Sequence, residues 1–168
     1  MEKKILPPKI NDWIGKTIIK DPSPFDVQSV LWQNFCSAIE DENPLYWDPE
    51  VASKHCETMI SHPALLPSWL HDFEWHPQRN RKMPMELHFL VKKALDLPLG
   101  IVTDVEIEFY DPIIHGDKIS AEQKLVSVSN EVETKLGRGR YWAIEVTYKN
   151  QSNNLVGKQN IEFLGYKK

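Results

Sequence analysis

The stretch from Ser23 to Trp47 constrains the fold more strongly than any other part of this sequence. It opens with Ser23, Pro24 and Asp26, which supply a hydroxyl cap, a proline for the first helical position and an acid for the first turn. Apolar residues then recur every three or four positions, and two further residues widen that stripe. The stripe contains Val27, Val30, Leu31, Phe35, Ala38 and Ile39, and it is widened by Trp32 and Cys36. We therefore predict one long helix that other elements wrap.

The end of this helix is set by the Asn43-Pro44 pair. Proline lacks an amide proton and disfavours helical geometry in the residue before it, so the helix must stop there. Asp41, Glu42, Asn43 and Tyr46 consequently lie at the helix end. We expect these polar groups to face a cleft.

The size and charge of the chain exclude several classes of protein. A chain of 168 residues, 41% of them hydrophobic, is typical of one domain with one core, and we predict that residues 1–168 form that domain. The formal net charge is -4, and the short basic run from Arg79 to Lys82 is typical of a solvated loop, so no nucleic acid partner is expected. No apolar run approaches a membrane span, and the start MEKKILPPKI lacks the apolar core of a secretion signal. We expect a cytoplasmic protein.

The cysteines and histidines do not form a metal-binding pattern. Cys36 and Cys56 are too few and wrongly spaced for a disulfide framework or a zinc site, so we predict two reduced thiols, neither of them a nucleophile. The chain has six histidines, and they show neither metal-ligand spacing nor an HExxH motif. Metal catalysis is not expected.

The segments around the long helix carry weaker signals. Residues 1–12 include two adjacent prolines and predict a mobile lead-in, and residues 13–20 predict a short first strand. Asp48-Pro49-Glu50 repeats the start signal of a capped helix and predicts a helix of about two turns. Residues 63–99 follow no sustained period, which is typical of a functional loop or lid, with a short helix within residues 85–95.

From Ile101 the apolar residues change to a period of two. Residues 101–110 predict a strand with one solvated face, residues 111–117 predict a turn, and residues 119–128 predict a second strand with a bulge. Residues 137–139 predict another turn. The two strands that follow have apolar faces formed by Trp142, Ile144, Val146 and Tyr148, and by Leu155, Gly157, Ile161 and Phe163.

Four long strands joined by tight turns predict an antiparallel meander. One long apolar helix and such a sheet have one economical arrangement, in which the sheet curls around the helix and buries it. We therefore predict an α+β protein with the hot-dog fold. A curled sheet leaves an edge strand open, so pairing with a second copy or with a relative is expected.

The acidic end of the helix is the best candidate for chemistry on physical grounds. A carboxylate there can be partly desolvated and can lie close to the groups of a partner subunit. The alternative is that Glu40, Asp41 and Glu42 only solvate the helix end, which is the more frequent role of such clusters. The residues alone leave both interpretations open.

Three segments carry a resemblance to a known family. The run from Ala38 to Tyr46, followed by residues 51–53, resembles the hydratase motif of the MaoC-like family of (R)-specific enoyl-CoA hydratases and dehydratases, which reads glycine-aspartate-any-asparagine-proline-hydrophobic-histidine. Residues 110–117 resemble the proline and glycine-aspartate turn of that family. Residues 134–139 and 148–156 are similar to MaoC-like subunits of the heteromeric hydratases of steroid side-chain breakdown.

The resemblance implies roles for three residues at the helix end. The family's aspartate and histidine activate the water that adds across the double bond of an enoyl-CoA, and the aspartate matches Asp41. The asparagine matches Asn43, which can orient the water or a loop. The histidine position holds Tyr46, a hydrogen-bond donor with an ordinary pKa near 10, and the glycine position holds Glu40.

Half of the catalytic pair is therefore missing from the motif. In that family such departures occur in subunits that pair with a complete one and that shape the acyl pocket or hold the CoA. We expect a hydratase subunit whose partner is a second MaoC-like chain with the complete pair, or else a homodimer. The resemblance implies no cofactor or metal, because the CoA thioester is the substrate.

Bulky side chains in the loop region are candidates for substrate binding. Trp69, Trp75, Met83, Met85 and Phe89 can wall a large acyl pocket, although they can equally be ordinary packing of a long loop. His115 lies in a predicted turn, where it can meet the phosphates of the thioester or be a polar turn residue.

Two other functions stay open at this stage. One is a stand-alone hot-dog thioesterase in which Asp41 or Glu42 activates water for attack on the thioester carbonyl. The other is a module that binds acyl-CoA and converts none. The spacing of Asp41, Asn43 and Pro44 favours the hydratase.

Overall fold

The computed structural model describes residues 6–78, 80 and 83–168 of the chain. The α-helices are α1 Pro8–Trp13, α2 Ser29–Ile39, α3 Pro49–Cys56 and α4 Glu86–Leu95, and two 3₁₀ helices span Pro44–Tyr46 and Pro63–Leu70. The strands are β1 Thr17–Asp21, β2 Leu99–Phe109, β3 Ser120–Val128, β4 Val132–Thr134, β5 Gly137–Lys149 and β6 Leu155–Lys167. The predicted α+β class is confirmed.

The described strands form one antiparallel sheet in the order β1-β3-β5-β6-β2, with β4 paired to β5. The predicted meander is confirmed for β3, β5 and β6 but is wrong for β2, which does not lie beside β3. It pairs along its whole length with β6, from Leu99 opposite Tyr166 to Phe109 opposite Gly157. Residues 111–117 are therefore part of a connection that crosses from one side of the sheet to the other, and they are not a hairpin turn.

The core face of the sheet follows the predicted alternation. Trp142, Ile144, Val146 and Tyr148 of β5 are all buried, and the predicted bulge in β3 lies between Leu125 and Ser127. Burial of one such large apolar side chain contributes about 1.5–3 kcal/mol, so β5 is a main source of stability.

The turn predicted at residues 137–139 is wrong, since Gly137 begins β5 and pairs with β4. The chain reverses just before it, where the Thr134 hydroxyl accepts from the amide of Leu136 at 3.1 Å and donates to the carbonyl of Gly137 at 2.8 Å. A Cβ at Gly137 or at Gly139 would collide with the β6 backbone. These glycines therefore allow close strand approach and do not mark the turn.

The central helix is shorter than predicted. It begins at Ser29 and not at Ser23, because residues 23–27 are held in another arrangement. The amide of Val27 donates to the carbonyl of Asp117, and the amide of Gly116 donates to the carbonyl of Val27, both at 2.8 Å. The helix ends at Ile39, before Asn43-Pro44 as predicted.

The apolar stripe of α2 is only partly buried. Trp32 and Cys36 are fully buried, but Val30, Leu31 and Ile39 are about half exposed. The expectation that the sheet of this chain wraps the whole stripe is therefore wrong. One side of the helix packs into the core, and another side is left uncovered by the described residues.

The N-terminal region is more ordered than predicted. Residues 1–5 of the expected lead-in lie outside the described residues, but Pro8–Trp13 form α1, whose Ile10 is fully buried. The helix begins at Pro8 because proline is well suited to the first helical position. The first strand is consequently shorter than predicted and begins at Thr17.

The region between residues 48 and 99 contains more helical structure than the predicted loop or lid would have. The short helix predicted after Asp48 is α3, and the helix predicted within residues 85–95 is α4, which buries Leu87 and Val91. Pro63–Leu70 form a 3₁₀ helix, and the described residues between Leu70 and Glu86 contain no helix or strand. Arg79, Arg81 and Lys82 of the expected solvated loop lie outside the described residues. None of the helices described here is long and apolar enough to span a membrane.

Strand β2 lies at the edge of the sheet, and almost its whole surface is exposed. The sequence predicts one solvated face, but both faces are open. Exposed apolar side chains of this strand include Ile101, Val102, Val105 and Phe109. An apolar edge of this kind is unusual on a protein that acts alone, because unpaired edges invite association.

Candidate functional site

The chain turns sharply where α2 ends. Glu40 adopts the left-handed conformation, with φ of 57°. Glycine favours that conformation, which explains why the hydratase motif that this segment resembles has glycine at this position. The turn carries Asp41 back beside the helix, and its amide donates to the carbonyl of Cys36 at 2.9 Å.

The motif after the helix is held by its own side chains. Asp41 Oδ1 accepts from the amide of Asn43 at 2.9 Å, and Asn43 Oδ1 accepts from the amide of Leu45 at 3.1 Å. Asn43 is thereby the cap of the 3₁₀ helix Pro44–Tyr46. Trp47 Nε1 donates to the carbonyl of Asp41 at 2.8 Å. Asp41 is consequently held in one orientation.

A histidine from a distant segment approaches this carboxylate. His62 Nε2 lies 3.4 Å from Asp41 Oδ2, and both side chains are mostly buried, at 18% and 28% exposed. His62 Nδ1 accepts from the amide of Ala64 at 3.1 Å, so the same ring caps the 3₁₀ helix Pro63–Leu70. Asp41 therefore has an imidazole neighbour, although the motif position for one holds tyrosine.

Tyr46 packs against the ring of His62. It is buried, and its ring centroid lies 5.1 Å from that of His62. Burial, with the nearby charge of Asp41, raises the pKa of the Tyr46 hydroxyl, and the same two causes raise the pKa of the Cys36 thiol. Both groups are therefore protonated near neutral pH, and neither acts as a base or a thiolate nucleophile.

Asp41 lines an open groove of about 460 Å³. The other lining residues come from the helix end and the following turn, and they are Cys36, Ser37, Glu40, Glu42, Pro44, Trp47 and Asp48. A water molecule in this groove can reach the carboxylate directly. The groove is thus the place where the arrangement can activate water.

A second cavity, of about 510 Å³, lies against the core face of the sheet. Leu70, at the far end of the 3₁₀ helix that His62 caps, lines this cavity with Met83 and Gln159. Tyr148 also lines it and donates to Gln159 Oε1 at 2.7 Å, and burial raises the pKa of the tyrosine. One 3₁₀ helix therefore leads from the Asp41 site to this cavity.

The five bulky side chains predicted to wall an acyl pocket do not all come together. Met83 and Met85 line the cavity, but Trp69 is buried and its Nε1 donates to Ser61 Oγ at 3.2 Å. Trp75 is 77% exposed, and Phe89 lies on the outer surface of α4. The interpretation as ordinary packing therefore fits Trp69.

His115 lies at the other end of α2. Its Nδ1 accepts from the amide of Ser29 at 3.1 Å. The 11 residues of α2 separate this contact from Asp41 by roughly 16 Å, given the rise of an α-helix. His115 therefore caps the start of the helix and is not part of the groove.

Sequence reasoning missed His62 because it tested the histidines only for metal spacing. The local signal was a histidine before Pro63, in the position of a helix cap. Its approach to Asp41 depends on pairing far away in the sequence, since the amide of Ser61 donates to the carbonyl of Ile113 at 2.7 Å.

The described residues contain no group of three or more His, Cys, Asp or Glu side chains that can hold a metal ion. Both cysteines are free, as predicted, and Cys36 is buried.

A curated protein, the probable enoyl-CoA hydratase alpha subunit of Thermomonospora curvata, is 26% identical to this chain over 164 residues. The match covers 95% of this chain and 51% of that protein, so the chain spans about half the length of the curated relative it matches.

Solved structures share the fold. A chain of the ChsH1-ChsH2 complex from Mycobacterium tuberculosis matches with a TM-score of 0.77 and 19% identity, over 95% of this chain and 96% of that chain. A chain of the HadBC (3R-hydroxyacyl-ACP dehydratase) complex, also from M. tuberculosis, matches with a TM-score of 0.58 and 18% identity, over 88% of this chain and 95% of that chain. The predicted hot-dog fold and the MaoC-like resemblance are confirmed.

The family model described as FAS1-like, dehydratase domain region, matches residues 12–159, which include the end of α2, His62 and most of the sheet. Because this match spans most of the chain, the protein belongs to the FAS1-like dehydratase domain family.

Proposed function

We propose that this chain is a subunit of an enoyl-CoA hydratase that reversibly adds water to a trans-2-enoyl-CoA. The observation that carries the proposal is the placement of Asp41. It occupies the aspartate position of the hydratase motif, it accepts a hydrogen bond from the backbone amide of Asn43, and it lines the groove at the end of α2. The name of the curated relative supports the same activity.

The chemistry requires a base beside the water. Asp41 takes one proton from the water while the water oxygen bonds to C3 of the enoyl group. The carboxylic acid then returns a proton to C2, so that one water is added and no other reactant is needed. Tyr46 is protonated in this site and does not take the role of base.

We further propose that a second MaoC-like subunit completes the acyl-CoA site, because the motif of this chain holds Tyr46 in the histidine position. The exposed apolar edge strand β2 and the half-exposed residues Val30 and Leu31 of α2 support an interface. Two of the similar solved structures are complexes, which is consistent with this view. A homodimer is the alternative assembly.

We propose that a bulky acyl group extends toward the cavity lined by Leu70, Met83 and Gln159. The volume of about 510 Å³ is in the range of pockets for drug-sized ligands. The predicted substrate roles of Trp69, Trp75, Phe89 and His115 have no support from their positions.

The test is a hydration assay with trans-2-butenoyl-CoA and a long-chain trans-2-enoyl-CoA. The chain is assayed alone and then co-expressed with a MaoC-like chain that carries the complete aspartate-histidine motif. We expect hydration by the complex and little by the chain alone. Asp41→Asn is the active-site variant, and Glu57→Gln, on the exposed turn after α3, is the matched control.

Two outcomes contradict the proposal in different ways. High and equal activity of the lone chain would refute the need for a second kind of subunit. Release of free CoA thiol without hydration would identify a thioesterase, and binding without any conversion would identify an acyl-CoA binding module.

A further inference from the structure

We propose that His62 replaces the missing motif histidine as the positioning residue of Asp41, so that this chain carries an aspartate-histidine pair of its own. The inference rests on the proposed hydratase function and deepens it. It predicts that the site of this chain is catalytically competent once the second subunit completes the acyl-CoA pocket, although the motif alone indicates a degenerate site.

The hydrogen bonds of His62 determine which ring nitrogen carries the proton. Nδ1 accepts from the amide of Ala64, so in the neutral ring Nδ1 has no proton and Nε2 has one. Nε2 faces Asp41 Oδ2 at 3.4 Å. The nitrogen that carries the proton is therefore the one that faces the carboxylate, in a tautomer that the backbone selects.

The ring is also fixed in place by packing. It lies between Phe35 and Tyr46, with centroid distances of 5.0 and 5.1 Å. The preceding segment is attached to the crossing connection, where Ile60 bridges to Ile114 and Ser61 bonds to Ile113. Little side-chain freedom remains to be lost when the pair forms.

The two oxygens of Asp41 then have different neighbours. Oδ1 accepts from the amide of Asn43 and Oδ2 faces His62 Nε2. Each carboxylate oxygen has further lone pairs, and the groove gives a water molecule access to them. The Asn43 amide and the neighbouring imidazole keep the carboxylate aimed at this water, which is the condition for efficient proton transfer.

Tyr46 fits the same arrangement. It holds the motif position of the family's histidine, and its ring packs against the imidazole that residue 62 supplies instead. The imidazole beside Asp41 therefore comes from another segment, and the protonated Tyr46 ring packs against it.

Two substitutions distinguish the role of His62 as the cap of the 3₁₀ helix from its contact with Asp41. His62→Asn keeps an acceptor that can cap the 3₁₀ helix but is too short to donate to Asp41. His62→Gln keeps a donor at a length close to that of Nε2. His55→Asn, on the exposed surface of α3, is the matched control.

The activity test uses the complex with that MaoC-like partner chain, in which the motif aspartate of the partner is changed to asparagine. Hydration of trans-2-butenoyl-CoA then depends on the site of this chain. We expect Asp41→Asn to abolish it and His62→Asn to lower kcat by about a hundredfold with a small change in KM, the order expected when a base is displaced by about 1 Å. We expect partial recovery with His62→Gln and no change with His55→Asn. Wild-type rates for His62→Asn in a complex that Asp41→Asn inactivates would overturn the inference and leave the hydratase function standing.

A second readout does not depend on activity. Nitrogen-15 NMR of the lone chain is expected to show His62 as the tautomer with the proton on Nε2, and the signal of that proton should shift in Asp41→Asn. A His62 ring with its proton on Nδ1, or one that does not respond to Asp41→Asn, would overturn the inference even if no complex hydrates the substrate. Absence of hydration by every complex, with the expected NMR result, would refute the hydratase function and not the pair.

Discussion

Strands β5 and β2 have similar sequence patterns and opposite surroundings. Both are long and alternate apolar residues with a period of two. In β5 the residues Trp142 and Ile144 are at most 1% exposed, whereas in β2 the residues Val102 and Val105 are 53% and 48% exposed. The alternation of apolar residues therefore predicts a strand and no more. The position of the strand in the sheet decides whether those residues are buried in the core or stay exposed, where a partner can cover them.

The largest effect is expected in the buried strand. Trp142→Ala removes a fully buried ring that stacks on Phe163 at 5.9 Å, so we expect a loss of about 3–5 kcal/mol in the free energy of unfolding. Urea denaturation of the lone chain measures it. Val105→Ala in β2 is the matched change, and a loss of less than about 0.5 kcal/mol is expected there. Equal losses at the two positions would contradict the comparison.

The next effect concerns assembly. Val105→Lys places a charge on the exposed edge strand, so it should leave the stability of the lone chain nearly unchanged and weaken association with the second subunit by about 2 kcal/mol or more. Size-exclusion chromatography of the co-expressed chains checks it. Lys135→Ala, an exposed change in the turn between β4 and β5, is the control. Unchanged assembly of Val105→Lys would exclude β2 from the interface.

The smallest effect concerns the pH dependence of stability, through a histidine that packs against the core face of β5 and β6. His88 lies 4.1 Å from Phe163 and 5.4 Å from Trp142 between ring centroids, and its Nδ1 has no hydrogen-bond partner among the described residues. Burial, with the charge of Lys92, lowers the pKa of His88 from 6.5 to about 4. The contribution of the neutral ring is therefore complete above about pH 6.5 and is lost as the pH falls toward 4.

This loss is expected to be about 1–2 kcal/mol, because solvent partly screens the ring. Urea unfolding at pH 7 and pH 4.5 measures it in wild type and in His88→Phe, which should lose less stability on acidification. His55→Phe, on the exposed surface of α3, should keep the wild-type pH dependence. An identical pH dependence in His88→Phe and wild type would assign the acid sensitivity to other groups.

Local patterns predicted much of the fold. Proline and an acidic cap predicted α3, the period of two predicted the core face of β5, and Asn43-Pro44 predicted the end of α2. Where local signals failed, a distant contact had a stronger effect. Ser23, Pro24 and Asp26 are a valid start signal, but Val27 bonds to the connection at Gly116 and Asp117, and the helix begins only after it.

The candidate site divides in the same way. The spacing of Asp41 and Asn43 is readable in the motif, since their contact spans two residues. The five bulky residues of the proposed pocket have no such local relation, and of these Met83 and Met85 line the cavity. His62 was missed for the same reason, because 21 residues separate it from Asp41 in the sequence.

The sequence by itself determined the fold class, the helix end that presents Asp41 and the strand faces that build the core. These depend on capping, on the restrictions of proline and on periodicity, all of which act between near neighbours in the chain. Only the tertiary structure decided that β2 lies at the edge and that His62 stands beside Asp41. Both follow from the pairing of distant segments, whose free energy depends on the whole sheet and leaves no pattern in any short stretch of sequence.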